Sequence, residues 1–96
     1  MKYSFEQIKE FLKELLEKYC EPELSIWIDN TEYMIILHSD GCTFQKCNGK
    51  AEALDFETLD ELYVSTVYDG IVLERDWDKI TKFECYDFDY LDSKSE

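Results

Sequence analysis

Ninety-six residues is the length of one domain, and a hydrophobic content of 45% is enough for a single core without staples. A formal charge of −13 argues against DNA, RNA or an anionic membrane as partner, since their phosphates would repel the chain, and favours a basic protein surface. No apolar run approaches the ~20 residues that span a bilayer, and Met1–Leu16 mixes charged and apolar residues without a signal pattern, so a cytoplasmic protein is expected.

Ser4-x-x-Gln7 is a capping box, with Tyr3 placed to staple onto Ile8. Ile8, Phe11/Leu12, Leu15/Leu16 and Tyr19 then recur at helical spacing, which predicts a helix over 5–19 that Pro22 stops. One apolar stripe and one charged stripe read as a helix lying on a sheet. Leu24, Ile26 and Ile28 alternate with Ser25, Trp27 and Asp29, the pattern of a half-buried strand. Asp29-Asn30-Thr31 turns the chain into a second strand, Glu32–His38, which is apolar on both faces and so expected at the centre of the sheet. Ser39-Asp40-Gly41 is a hairpin signal, followed by a third strand over Cys42–Cys47. Asn48-Gly49 turns again, and Lys50–Leu54 is either a short fourth strand or a connection. Trp27, on the face opposite Ile26 and Ile28, is expected to be covered by the later helices, with an exposed anchor as the alternative.

Thr58-x-x-Glu61 is a second capping box, opening a short helix over Leu59–Tyr63. Ser65–Val67 reads as extended, and Asp69-Gly70 as a turn. Leu73, Trp77 and Ile80 fall at i, i+4 and i+7, one face of a further helix, which points Glu74, Asp76 and Asp78 into solvent. Phe83–Tyr90 alternates imperfectly and reads as an edge strand. The expected architecture is α+β over residues 1–96: an N-terminal helix on a three- to four-stranded antiparallel meander, then two short acidic helices and a C-terminal edge strand.

Cys20, Cys42, Cys47 and Cys85 read as free thiols in a reducing cytosol. A zinc site from His38, Cys42, Cys47 and Cys85 lacks the tight Cys-x2–4-Cys knuckle. A disulfide is the remaining possibility. His38 stands alone at a strand end, with no third residue in sequence to orient a Cys–His pair. Asp76-x-Asp78 and Asp87-x-Asp89 lack the glycine-containing loop of a calcium site, and there is no P-loop, GxGxxG or GxSxG motif. A non-enzymatic protein without a metal or cofactor is expected.

The chemistry gathers in Asp55–Asp92, where twelve carboxylates face only Arg75, Lys79 and Lys82, an excess of nine negative charges interleaved with eight aromatics. An acidic solvating tail is poor in aromatics, so this stretch should fold. Rigid carboxylates with aromatic anchors can occupy a site built for nucleic acid. The expected contacts are Asp69, Glu74, Asp76, Asp78, Asp87 and Asp89, with Tyr86 and Tyr90 as anchors. Over residues 4–80 the order of helix, three-stranded meander and two short acidic helices resembles the small acidic phage-encoded anti-CRISPR proteins, inhibitors of RNA-guided nucleases. Phe56-Glu57-Thr58-Leu59-Asp60-Glu61-Leu62 and Tyr68-Asp69-Gly70 are similar in style to small proteins of phages and mobile elements. The resemblance implies a partner that is a CRISPR effector nuclease in a bacterial cytoplasm, blocked at its basic duplex-reading channel. An immunity protein or antitoxin for a basic toxin nuclease fits the same acidity. A small thiol- or metal-dependent enzyme, and a homodimer joined at the C-terminal strand edge, are two further classes.

Overall fold

The computed structural model describes residues 3–18, 21–47 and 52–85. The expectations placed on Tyr19, Cys20, the Asn48-Gly49 turn, Lys50 and the whole of 86–96 lie outside the described residues.

Helix α1 spans Phe5–Lys18. Its capping box forms in both directions: the Gln7 N–H donates to Ser4 Oγ at 3.2 Å, and the Ser4 N–H donates to Gln7 Oε1 at 2.8 Å. Strands β1 (Glu23–Ile28), β2 (Thr31–His38) and β3 (Gly41–Lys46) follow as an antiparallel meander. Asp29 and Asn30, at φ 52° and 63°, form the two-residue loop between β1 and β2. Two left-handed residues are what the right-handed twist of a tight hairpin demands, and Asn and Asp tolerate them best.

The second hairpin works differently from the sequence reading. Its loop is Ser39-Asp40, since His38 already pairs with Gly41. Gly41 is therefore a strand residue, and its lack of a side chain answers to another contact. A Cβ there would lie 2.5 Å from the Phe56 carbonyl oxygen. Strand β4 (Leu54–Phe56) passes that close when it pairs with Cys42–Phe44.

Helix α2 covers Leu59–Val64, capped where Thr58 Oγ1 accepts from the Glu61 N–H at 3.0 Å. Thr66 and Val72 then bridge across a turn in which Asp69 (φ 57°) and Gly70 (φ 72°) are both left-handed. The helix expected through Ile80 is shorter than its spacing suggests. Helix α3 runs only over Leu73–Asp76, a 3-10 turn takes Trp77–Lys79, and Ile80 opens strand β5 (Ile80–Glu84). Leu73, Trp77 and Ile80 are nonetheless all buried. They reach the core from three elements rather than from one helical face.

Strand β5 returns to pair with β1, giving a five-stranded antiparallel sheet in the order β4-β3-β2-β1-β5. The register aligns Leu24 with Ile35 and Ile35 with Phe44, so every second residue of the meander faces one side. On that side Leu24, Ile26, Tyr33, Ile35, Cys42 and Phe44 are buried against Phe5, Ile8, Phe11, Leu12 and Leu15 of α1, Leu59 and Leu62 of α2, and Leu73 and Trp77. The helices thus share one face. Trp27 lies on the other, half-buried, with the Lys82 ammonium 4.6 Å from its ring centroid. The expected helical cover for Trp27 is not what forms, because one side of a small sheet accommodates α1, α2 and α3 together. Among the described residues no helix is long and apolar enough to cross a membrane.

Replacing Gly41 by Ala should cost about 2 kcal/mol by overpacking against the β4 backbone. Urea unfolding measures it, and a loss under about 0.5 kcal/mol, the usual range of a neutral surface change, would show that β4 does not approach so closely.

Candidate functional site

Two aromatic groups organise the helical side. Phe5 stacks on Tyr63 at 3.8 Å between centroids, and Trp77 meets both edge-on at 5.6 and 5.9 Å. The Trp77 indole N–H donates to the Tyr3 carbonyl at 2.9 Å, tying the 3-10 turn after α3 to the chain just before α1. On the far side Tyr33, Phe44 and Tyr68 stack at 5.5–6.3 Å. The first group carries charge around it. Lys9 bridges Glu6 and Asp60, each at 3.1 Å, and so joins α1 to α2. Its own side chain is 14% exposed whereas Glu6 and Asp60 are 72% and 66% exposed, so the cation lies beneath and the carboxylates lie outside. The Tyr63 phenol is pushed up by burial and then by the charges of Glu74, Glu6 and Asp78. Those three acids, from α1, α3 and the 3-10 turn, with Glu6 some 70 residues from the other two in sequence, therefore all lie near enough to Tyr63 for their charges to act on it.

The residues expected to meet a partner divide. Glu74 and Asp78 are exposed and, among the described residues, in no ion pair. Asp76 contradicts the expectation: it is 3% exposed. Its carboxylate accepts from the Val72 N–H at 3.1 Å, from Arg75 at 2.8 and 3.1 Å, and from Lys79 at 3.3 Å. Arg75 also donates to the Gly70 carbonyl at 2.8 Å. The side chain that helical periodicity aims outward is turned inward because α3 stops at Asp76 itself. These bonds hold its carboxyl far below the ordinary carboxylate range, the Arg75 bonds most of all and the Val72 N–H next.

Asp69 is exposed but occupied. It accepts from Tyr33 Oη at 2.7 Å and Lys46 Nζ at 2.9 Å, and both, Lys46 foremost, hold its carboxyl low. Asp87, Asp89, Tyr86 and Tyr90 lie outside the described residues. Glu6, Asp60 and Tyr63 were not expected at the site. Their only sequence signals are local, two capping boxes that fix the first turns of α1 and α2, and nothing local brings those turns together.

His38 is better connected than its sequence context suggests. One ring nitrogen, Nδ1, meets the Glu21 carboxylate, and the other, Nε2, lies 2.9 Å from Thr43 Oγ1. Thr43 in turn donates to Asp55 Oδ1 at 2.7 Å. A carboxylate, an imidazole and a hydroxyl in line resemble a nucleophilic triad. The hydroxyl proton, however, is committed to Asp55, so Nε2 must donate to Thr43 rather than take its proton. Thr43 is also 9% exposed. The chain Glu21–His38–Thr43–Asp55 therefore ties β2, β3 and β4 on the sheet's outer side and does not present a nucleophile.

Cys42 and Cys47 are unbridged thiols, as expected. Cys42 faces the core and its thiol is pushed up to about 11, by burial first and then by Glu61 and Asp55. His38 faces the opposite side of the sheet, and Cys47, one residue past the end of β3, is five residues from Cys42, roughly 16 Å away at strand rise. The zinc alternative fails on that geometry. Among the described residues no three His, Cys, Asp or Glu side chains converge for a metal.

A cleft of about 370 Å³ lies between α1, the β2–β3 loop and the start of α2, floored by Leu37 and Leu59. Lys9 on its wall is already held by Glu6 and Asp60. No family model, curated protein or solved structure matches the chain.

Asp76 has a folded pKa below its unfolded value near 3.9. Its contribution to stability is then complete above about pH 4 and is lost as pH falls toward the folded value. Asp76→Asn should lower the melting temperature by several degrees at pH 7, and the gap from the parent should close below pH 4. A gap that persists unchanged at pH 2 in thermal scans would contradict this origin.

Proposed function

We propose that this chain is a non-enzymatic inhibitor that occupies a basic nucleic-acid-binding surface on a partner protein, standing in for the nucleic acid. The supporting observation is the set of exposed carboxylates Glu6, Glu74 and Asp78 whose charges reach Tyr63, with Glu6 and Asp60 both outside the Lys9 ammonium they share. Nucleic acid offers a partner regularly spaced negative charge on a stiff frame. Here the frame is α1, α2 and α3 with its 3-10 turn, locked by the Phe5, Tyr63 and Trp77 rings. Carboxylates steer the encounter, and a half-buried aromatic among them slows dissociation.

The helical side is less acidic than its segment of sequence. Asp76 is spent on Arg75 and Lys79, which remain exposed beside the patch. The patch therefore acts through the placement of a few carboxylates and not through bulk charge. The order of elements, helix then meander then short acidic helices, supports a CRISPR effector nuclease as the partner, and with it a location in the bacterial cytoplasm. No metal or cofactor enters this reading.

The triple change Glu6→Lys, Glu74→Lys and Asp78→Lys should leave the circular dichroism spectrum intact and weaken capture of a basic nuclease by more than tenfold, about 1.4 kcal/mol. Affinity of the parent should fall steeply between 50 and 200 mM salt, as phosphate-like contacts do. Loading the nuclease with its guide and target first should protect it. Binding that ignores salt, or that proceeds equally on a loaded nuclease, would defeat the mimicry.

A further inference from the structure

The outer side of the sheet carries a second surface that the helical patch leaves unexplained. Register places Ser25, Trp27, Met34, Ile36, His38, Thr43 and Lys82 on it, opposite the helices. Met34 and Ile36 are successive outward residues of the central strand, and Trp27 lies diagonal to Met34 across β1. All three are half-buried, whereas the inward residues beside them, Ile26, Tyr33 and Ile35, are 0–2% exposed. Among the described residues no helix packs on this side. Three large apolar side chains in a row are more than an open sheet face needs.

The charges around the stripe decide what can cover it. Glu32 stands opposite Trp27, Glu23 opposite Ile36, Glu84 opposite Ser25 and Asp55 opposite Thr43. Against these acids stands, among the described residues, one cation, Lys82, which lies over the Trp27 ring and 3.9 Å from Glu84. A second copy docked face to face would bring Glu23, Glu32 and Glu84 against acids of the same kind, on a chain already at −13. Nucleic acid and anionic bilayers meet the same repulsion.

We propose that this face docks a cationic amphipathic helix of a partner protein. Apolar residues at i, i+3, i+4 and i+7 would cover Trp27, Met34 and Ile36, and Lys or Arg on the helix flanks would reach Glu23, Glu32 and Glu84. Such a helix completes a three-layer arrangement, with the sheet between two helical layers. The proposal is independent of the carboxylates around Tyr63, which lie on the other side of the molecule.

Trp27 fluorescence in the full chain tests it, with Trp27→Phe supplying the Trp77 background. The probe is a Leu/Lys peptide patterned as an amphipathic helix, beside a scrambled peptide of equal charge. Acrylamide should quench Trp27 in the free protein, and the amphipathic peptide should shift its emission to the blue and protect it. Met34→Ser with Ile36→Ser, its fold checked by circular dichroism, should weaken that binding more than tenfold. The scrambled peptide should bind more than tenfold more weakly, and the triple lysine variant of the helical patch should bind as the parent does. Equal binding of both peptides would overturn the proposal. So would a Trp27 closed to acrylamide in the free monomer, which would mean the chain covers its own face, or one opened only by dissociating a dimer, which would assign the face to a second copy. Loss of binding in the triple lysine variant with retention in the double serine variant would also overturn it.

Discussion

The alignment of Leu24 with Ile35 and of Ile35 with Phe44 is the constraint from which the rest of the molecule follows. Side chains alternate along a strand, so a slip of one residue would move the whole apolar set to the other face. With this register fixed, the meander has one strongly apolar side, and α1, α2 and α3 all gather there. The three helices then touch one another as well as the sheet. Phe5, Tyr63 and Trp77 meet only because α1, α2 and the 3-10 turn that follows α3 compete for the same face. The carboxylates around Tyr63 are a by-product of that crowding, and so is the open side that carries Trp27.

Asp76 shows how an acidic chain spends some of its charge internally. A buried carboxylate is costly unless hydrogen bonds and opposite charges surround it. Here one backbone N–H, Arg75 and Lys79 do so, and the same carboxylate holds together a turn that has little other regular structure. Because α3 ends at Asp76, no longer helix is present to keep residues 70–79 in place. The cations drawn to Asp76 would otherwise be available to neutralise Glu74 and Asp78. One inward acid therefore serves the fold and leaves its two neighbours in sequence exposed.

Local chemistry was readable from the sequence and distant contacts were not. Ser4 with Gln7 and Thr58 with Glu61 cap their helices as their spacing predicts, because a cap is decided within four residues. The β1–β3 meander was legible for the same reason, since its alternation and turns are short-range. The spacing of Leu73, Trp77 and Ile80 predicts one helix, but periodicity alone cannot distinguish a helical face from a helix, a 3-10 turn and a strand start that all lean on one core. The helical cover expected for Trp27 does not form, because alternation tells which residues share a side but not which side the helices choose. Gly41 looked like a turn residue, and only the passage of Phe56 beside it reveals the reason for glycine. Glu6 could not be grouped with Glu74 and Asp78, because closing that distance depends on the whole fold.

The Tyr63 phenol explains why an aromatic belongs among the carboxylates. Burial and the charges of Glu74, Glu6 and Asp78 all push it upward, so it remains protonated throughout the physiological range. It therefore adds stacking area and a hydrogen-bond donor without adding a negative charge of its own. Another carboxylate at that position would raise the repulsion among Glu6, Glu74 and Asp78 and so work against their being held close. Stacked on Phe5, the ring would also lose little freedom if the proposed partner covered it, which would lower the ordering cost of association. On the proposed reading, charge would bring a basic partner to this surface, and a neutral, already ordered ring would give it something to keep.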